Sequence, residues 1–218
     1  FLVDQLASSD KVDVLEMGSG TGNLAQTLMN NCQRSLDYFG LEIDDLLIDL
    51  AASMAEVMKA DVNFAQGDAV RPQVLKESDV IISDLPVGYY PDDAIASRYQ
   101  VASPQGHTYA HHLLIEQSLK YLKPGGVAIF LAPNDLLTSE QSPLLKKWMQ
   151  DHAQVLAMVT LPENLFRSAN LAKTIFVLRK QEEAVIQPFV YPLTDLQNQE
   201  DVMKFRESFQ NWNKESEI

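Results

Sequence analysis

Short apolar runs alternate with longer stretches of helical periodicity along this chain. Residues 12–17 read as a buried strand running into a glycine cluster, and residues 23–30 or beyond as the helix that follows. Residues 37–43 form a second strand. Asp44 or Asp45 offers an N-cap oxygen for a helix from Leu46 to about Lys59. Residues 62–64 and 79–83 continue the strand series. Residues 85–105 show no period, and a structureless stretch of that length points to function more than to simple connection. The pattern then predicts a helix over 109–122, a stop at Lys123-Pro124-Gly125-Gly126, a strand over 127–132 and a helix opened by Ser142-Pro143 and running to about His152. Residues 154–161 and 174–178 complete the strand set.

Strands with continuous apolar cores, separated by helices, imply a mostly parallel sheet covered on both faces, an α/β fold. Beyond Lys180 the character changes. Residues 189–191 read as an edge strand, and Val202, Phe205, Phe209 and Trp212 recur at spacings of 3, 4 and 3, one face of an amphipathic helix. The acidic flanks of that stripe argue against a membrane surface and for docking on the chain's own domain.

Composition narrows the class. Hydrophobic residues make up 46% and charged residues 22%, which excludes a disordered or fibrous chain. No apolar run approaches the roughly 20 residues of a membrane span. A single cysteine, Cys32, excludes an internal disulfide and a cysteine-based zinc site. The expectation is a globular, cytoplasmic protein with no metal. The formal charge of −13 divides as −7 over residues 1–60, −1 over 61–180 and −5 over 181–218. Nucleic acid is held mainly through Lys and Arg contacts to phosphate, so this chain alone should bind DNA weakly unless its near-neutral middle forms a basic patch or another segment supplies one.

The segment Glu16-Met17-Gly18-Ser19-Gly20-Thr21-Gly22-Asn23 places three glycines between a strand and a helix. Glycines there allow a sharp turn and close approach of a ligand to free N–H groups at the helix start. A dinucleotide fingerprint requires glycine where Asn23 stands. The spacing E-x-G-x-G-x-G instead resembles the cofactor loop of class I S-adenosylmethionine-dependent methyltransferases.

That resemblance implies a Rossmann-like, doubly wound seven-stranded sheet with the last strand reversed, and S-adenosylmethionine as cofactor. It assigns cofactor contacts to Glu16, Gly18, Gly20 and Gly22, to Glu42 as the acid for the ribose hydroxyls, to Ile43 as an apolar shelf for adenine, and to Asp68 for the adenine amino group. The cofactor is a sulfonium cation, which an acid such as Glu16 suits electrostatically.

At the end of the fourth strand the chain reads D-L-P-V-G-Y-Y, Asp84 to Tyr90. This resembles the (N/D/S)-P-P-(Y/F) motif of amino-directed methyltransferases. An aromatic exocyclic amine is a poor nucleophile because its lone pair is delocalised. A side-chain oxygen and a backbone carbonyl accepting its two hydrogens rehybridise the nitrogen and aim the lone pair. Asp84, which also borders the cofactor, supplies the first acceptor, the Leu85 carbonyl supplies the second, and Pro86 stiffens the turn. Leu85 replaces the first proline of the motif, and Val87 stands where an aromatic would stack on a flipped base. Tyr89 or Tyr90 is the expected replacement.

The stretch from Ala110 through Gly126 and the pair L-P-E-N-L-F and A-K-T-I-F-V-L resemble adenine N6 DNA methyltransferases and the modification subunits of type I restriction systems. The resemblance spans residues 10–180. Its D-L-P-V-G-Y-Y branch implies a helical segment before the catalytic domain, so a chain opening at Phe1 reads as a fragment. The expected organisation is a catalytic domain over 1–180 and a docked extension over 181–218. The expected activity is methyl transfer to an amino nitrogen, adenine N6 in DNA, with a protein partner or the preceding segment supplying target recognition. Two alternatives stand: an RNA amine or protein amide as acceptor, and a catalytically silent cofactor-binding module.

His107, His111 and His112 read as helix-start or pocket-lining residues, His107 with Tyr109 beside the target pocket. Arg98, Lys146, Lys147, Arg167 and Lys173 are the candidate phosphate contacts.

Overall fold

A computed structural model describes residues 1–168, 171–180 and 186–216. In chain order the elements are α1 (Leu2–Leu6), β1 (Lys11–Met17), α2 (Asn23–Asn31), β2 (Ser35–Glu42), α3 (Asp45–Met58), β3 (Val62–Gln66), β4 (Ser78–Asp84), α4 (Asp93–Ala96), α5 (Ala110–Lys120), β5 (Leu122–Pro133), α6 (Ser142–His152), β6 (Ala153–Thr160), β7 (Lys173–Lys180), β8 (Phe189–Pro192) and α7 (Gln199–Glu215). The strands join one sheet in the order β3-β2-β1-β4-β5-β7-β6-β8. β7 runs antiparallel to both β5 and β6, and the other pairings are parallel. The reversed strand is thus the one expected. Beyond the seven strands of the domain, the edge strand read over 189–191 is present as β8, paired with β6.

Both sheet faces are buried, which explains the near-continuous apolar strands. Along β1, Val12 and Val14 pack into one layer while Leu15 and Met17 pack into the other. The first layer holds α1, α2 and α7. Phe205 and Phe209 of α7 are buried there, Phe209 meets Phe189 of β8 edge-on at 5.1 Å, and Trp212 Nε1 donates to the Gln187 carbonyl at 2.9 Å. The second layer centres on α5, whose residues His111 to Leu119 are all buried, so it packs on every side.

Two local expectations need correction. The Lys123-Pro124-Gly125-Gly126 stop does end the helix, but those residues belong to the irregular start of β5, which shifts register against β4 between Ser78 and Val80. The aperiodic stretch after β4 also contains structure. It carries α4 and buries Tyr90, Ile95, Tyr99 and Val101. The Tyr99 hydroxyl donates to the Val70 carbonyl and lies 2.9 Å from Gln117 Oε1, and the Val101 N–H donates to Glu116 at 3.0 Å. These bonds tie the loop to α5 and to the segment after β3. The strand order reverses between β1 and β4, at whose carboxyl ends open α/β sheets bind ligands.

Candidate active site

The turn after β1 is built on three left-handed glycines, with φ of 76°, 52° and 76° at Gly18, Gly20 and Gly22. A Cβ on Gly22 would meet Ala51 at 3.1 Å and Phe64 at 3.2 Å, so that glycine serves packing of the turn on α3 and β3. Gly18 and Gly20 face open space. The Gly18 and Ser19 N–H groups donate to the Leu41 carbonyl, and the Gly20 N–H donates to Glu42 Oε2 at 2.7 Å. Glu42 Oε1 accepts from Ile43 and Asp44 at 2.9 and 3.0 Å. Three backbone donors therefore hold this carboxylate at the carboxyl end of β2, buried yet bordering a cavity of about 380 Å³.

Ile43, exposed at its rim, Gly67, Asp68 and Pro86 line the same cavity. Asp68 is heavily engaged. Its Oδ1 accepts from the Val70 N–H at 2.9 Å, and its Oδ2 accepts from the Tyr90 hydroxyl and lies 3.4 Å from Arg71 Nε. Burial and the Asp68 carboxylate push the Tyr90 hydroxyl up to about 12, so it remains a donor. This commitment of Tyr90 corrects the expectation that either tyrosine is free to replace the motif aromatic. Tyr89 remains half exposed, stacked on Tyr109 at 4.8 Å and 5°, with Tyr109 in turn stacked on His111 at 5.0 Å. Val87 is exposed and Tyr89 lines neither site cavity.

A second cavity, about 370 Å³, is lined by Glu16, Gly18, Gly20 and Asp84. Gly18 and Asp84 border both, so the two form one continuous bed over the carboxyl ends of β1, β2 and β4. Glu16 is 2% exposed and accepts from the Tyr38 hydroxyl at 2.6 Å. Burial raises its carboxyl from the ordinary 4.5 to about 7, the Glu42 and Asp84 charges add to the rise, and the Tyr38 bond opposes it.

At the end of β4, Asp84 and Leu85 share one partner that the sequence pattern does not reveal. Lys173, the first residue of β7, donates from Nζ to Asp84 Oδ1 and, at 3.0 Å, to the Leu85 carbonyl. Its side chain is 16% exposed and turned inward, which corrects its assignment to a phosphate contact. Arg98, Lys146, Lys147 and Arg167 are exposed. His111 Nδ1 lies 3.2 Å from the Pro86 carbonyl and carries the proton there, because a carbonyl only accepts. Burial lowers the His111 pKa, and burial with the neighbouring His111 lowers that of His112 to about 3, so both rings are neutral. His107 pairs instead with Asp93, Nδ1 to Oδ2 at 2.9 Å.

A sheet in this order with a glycine cradle at its reversal point is the architecture of the class I S-adenosylmethionine-dependent methyltransferases, and the cofactor this class implies fits the bed. Open space over Gly18 and Gly20 admits a close ligand, and Glu42 and Asp68 offer fixed acceptors. Residues 1–217 match the family model described as N-6 DNA Methylase, and the chain belongs to that family. The uncharacterized protein YtxK of Bacillus subtilis (strain 168) is 36% identical over 217 residues, which take up 97% of this chain and 66% of that protein. A crystal structure of a Listeria monocytogenes protein assigned to the class I S-adenosylmethionine-dependent methyltransferases superposes with a TM-score of 0.88 and 30% identity, covering 97% of this chain and 68% of that one. A type I restriction enzyme modification subunit assigned from Vibrio vulnificus YJ016 shares the fold at a TM-score of 0.73 and 16% identity, over 92% of this chain and 49% of that one. The chain thus spans about two thirds of the first two relatives. No described helix is long and apolar enough to cross a membrane.

Proposed function

We propose that this chain transfers a methyl group to an exocyclic amine, adenine N6 in DNA. The observation that carries the reading is the convergence of Asp84 and the Leu85 carbonyl on a single nitrogen, Lys173 Nζ. Two acceptors able to share one nitrogen are what an –NH2 group with two hydrogens requires. S-adenosylmethionine supplies the electrophilic methyl group when bound, with Gly18 and Gly20 as its backbone cradle, Glu42 and Asp68 as its polar acceptors, and Ile43 as its apolar contact. Asp84 and Leu85 orient the amine, Pro86 holds the turn, and Tyr89 presents an exposed aromatic face two residues beyond Val87.

The net charge of −13 favours DNA contacts supplied largely by a preceding segment or a partner subunit. The test is incubation of the full-length protein with methyl-labelled S-adenosylmethionine and separate pools of unmodified DNA, RNA and cell protein. Label recovered as N6-methyladenine in DNA is the expected result. Label confined to RNA or protein replaces the substrate class, and cofactor binding with no label in any pool refutes the enzymatic reading.

A further inference from the structure

The same convergence has a steric corollary, and it rests on the amine-transfer reading. Lys173 Nζ uses two of its three hydrogens on the two acceptors that the target amine needs. An amine bound between these two oxygens takes the position that the ammonium now occupies. We propose that Lys173 is a resident competitor for the target amine, a specificity-determining residue that the substrate must displace from Asp84 and Leu85.

The placement of Lys173 is fixed by the sheet. β7 is antiparallel to β5 and pairs Lys173 with Pro133, two positions beyond Leu131, the β5 partner of Asp84. The lysine therefore reaches the seat from within the protein. Its side chain is 16% exposed, while that of Asp84 is 58% exposed and open to both cavities. Leu85 itself is fully buried, so its carbonyl reaches no substrate except at this seat.

Charge makes the competition selective. Hydrogen bonds from an ammonium to a carboxylate are roughly twice as strong as those between neutral groups. A neutral amine held by these two acceptors alone cannot evict Lys173. A target that gains further binding energy, by stacking or by contacts along its backbone, can. The position between the two acceptors is thereby closed to small free amines and opens only for an acceptor engaged elsewhere on the protein.

The test uses the full-length protein at saturating S-adenosylmethionine with unmethylated duplex DNA. Lys173→Met keeps the aliphatic stem and removes the competing charge. Its KM for DNA is expected to fall about tenfold, with the cofactor Kd unchanged. A merely structural lysine would instead lower stability or kcat and leave KM alone. An unchanged or raised KM overturns the proposal. Acylation of Lys173 by a small anhydride, read by mass spectrometry, gives a second measure. It should be slow with S-adenosylhomocysteine alone and faster once the acceptor DNA is added. If label enters RNA or protein instead, the adenine reading fails, and the competitor is judged by the same KM ratio and acylation change on that acceptor. Should no pool be methylated, acylation decides alone: faster labelling with any pool supports displacement, and equal labelling with all of them overturns it.

Discussion

Glu16→Gln separates the electrostatic cost of the cofactor bed from its packing. The wild-type carboxyl is 2% exposed, accepts from Tyr38 at 2.6 Å, and is raised from 4.5 to about 7 chiefly by burial. In the unfolded chain it ionises near 4.5, whereas the folded protein keeps the proton to about pH 7. The unfolded state therefore binds fewer protons between those values, and stability falls as pH rises through that window. The contribution is fully present below pH 4.5 and fully lost above pH 7. A shift of that size is worth about 3 kcal/mol at 1.36 kcal/mol per unit. Glutamine retains the acceptor for Tyr38 and cannot ionise. Urea denaturation of both proteins between pH 4.5 and 8.5 should show the variant gaining about 3 kcal/mol on the wild type across the range. Parallel stability curves would refute the reasoning. The same charge favours a cationic ligand, so calorimetry should find S-adenosylmethionine binding to wild type strengthening up to pH 7, and the variant lacking that dependence.

Two further perturbations address other parts of the site. Glu42→Gln leaves an amide group that cannot accept from all three of Gly20, Ile43 and Asp44, and the cofactor Kd should rise about a hundredfold by calorimetry; an unchanged Kd removes Glu42 from the cofactor site. His112 is fully buried, neither ring nitrogen has a hydrogen-bond partner among the described residues, and its pKa is lowered to about 3, so the folded state resists a proton that the unfolded state takes up near 6.5. Stability present above pH 6.5 is lost as pH falls toward 3, and His112→Leu should remove about 1.4 kcal/mol per pH unit of that acid loss in denaturant titrations. Identical acid limbs would contradict the assignment.

What the sequence discloses follows the range of each interaction. β1, β2 and β4 are legible because both faces of each are buried, leaving apolar runs that no exposed strand carries. The glycine turn and Glu42 are legible because backbone geometry and a strand end are local. The stripe Phe205–Phe209–Trp212 is legible because a helix repeats within one short window. Lys173 is invisible for the opposite reason: 89 residues separate it from Asp84, and only the antiparallel register of β7 on β5 joins them. Tyr38 and Glu16 meet across neighbouring strands from 22 residues apart, and that contact sets the carboxyl's environment. Tyr89 and Tyr90 are adjacent in sequence and diverge in role because Tyr90 is drawn down to Asp68, a partner chosen by the fold of the loop. The irregular start of β5 escapes prediction because the turn signature of Pro124, Gly125 and Gly126 is kept inside the strand: these residues fall between the pairs Ser78–Leu122 and Val80–Val127, with Gly125 at a φ of 73°.

The central claim is that Asp84 and the Leu85 carbonyl orient an amine for methyl transfer. Its most direct measurement is single-turnover methyl transfer to unmethylated DNA by the full-length protein, wild type against Asp84→Ala, with products resolved as methylated nucleosides. Wild type should form N6-methyladenine, and the variant should do so at a rate at least about a hundredfold lower with S-adenosylmethionine still bound. Equal rates of N6-methyladenine formation by the two proteins would contradict it.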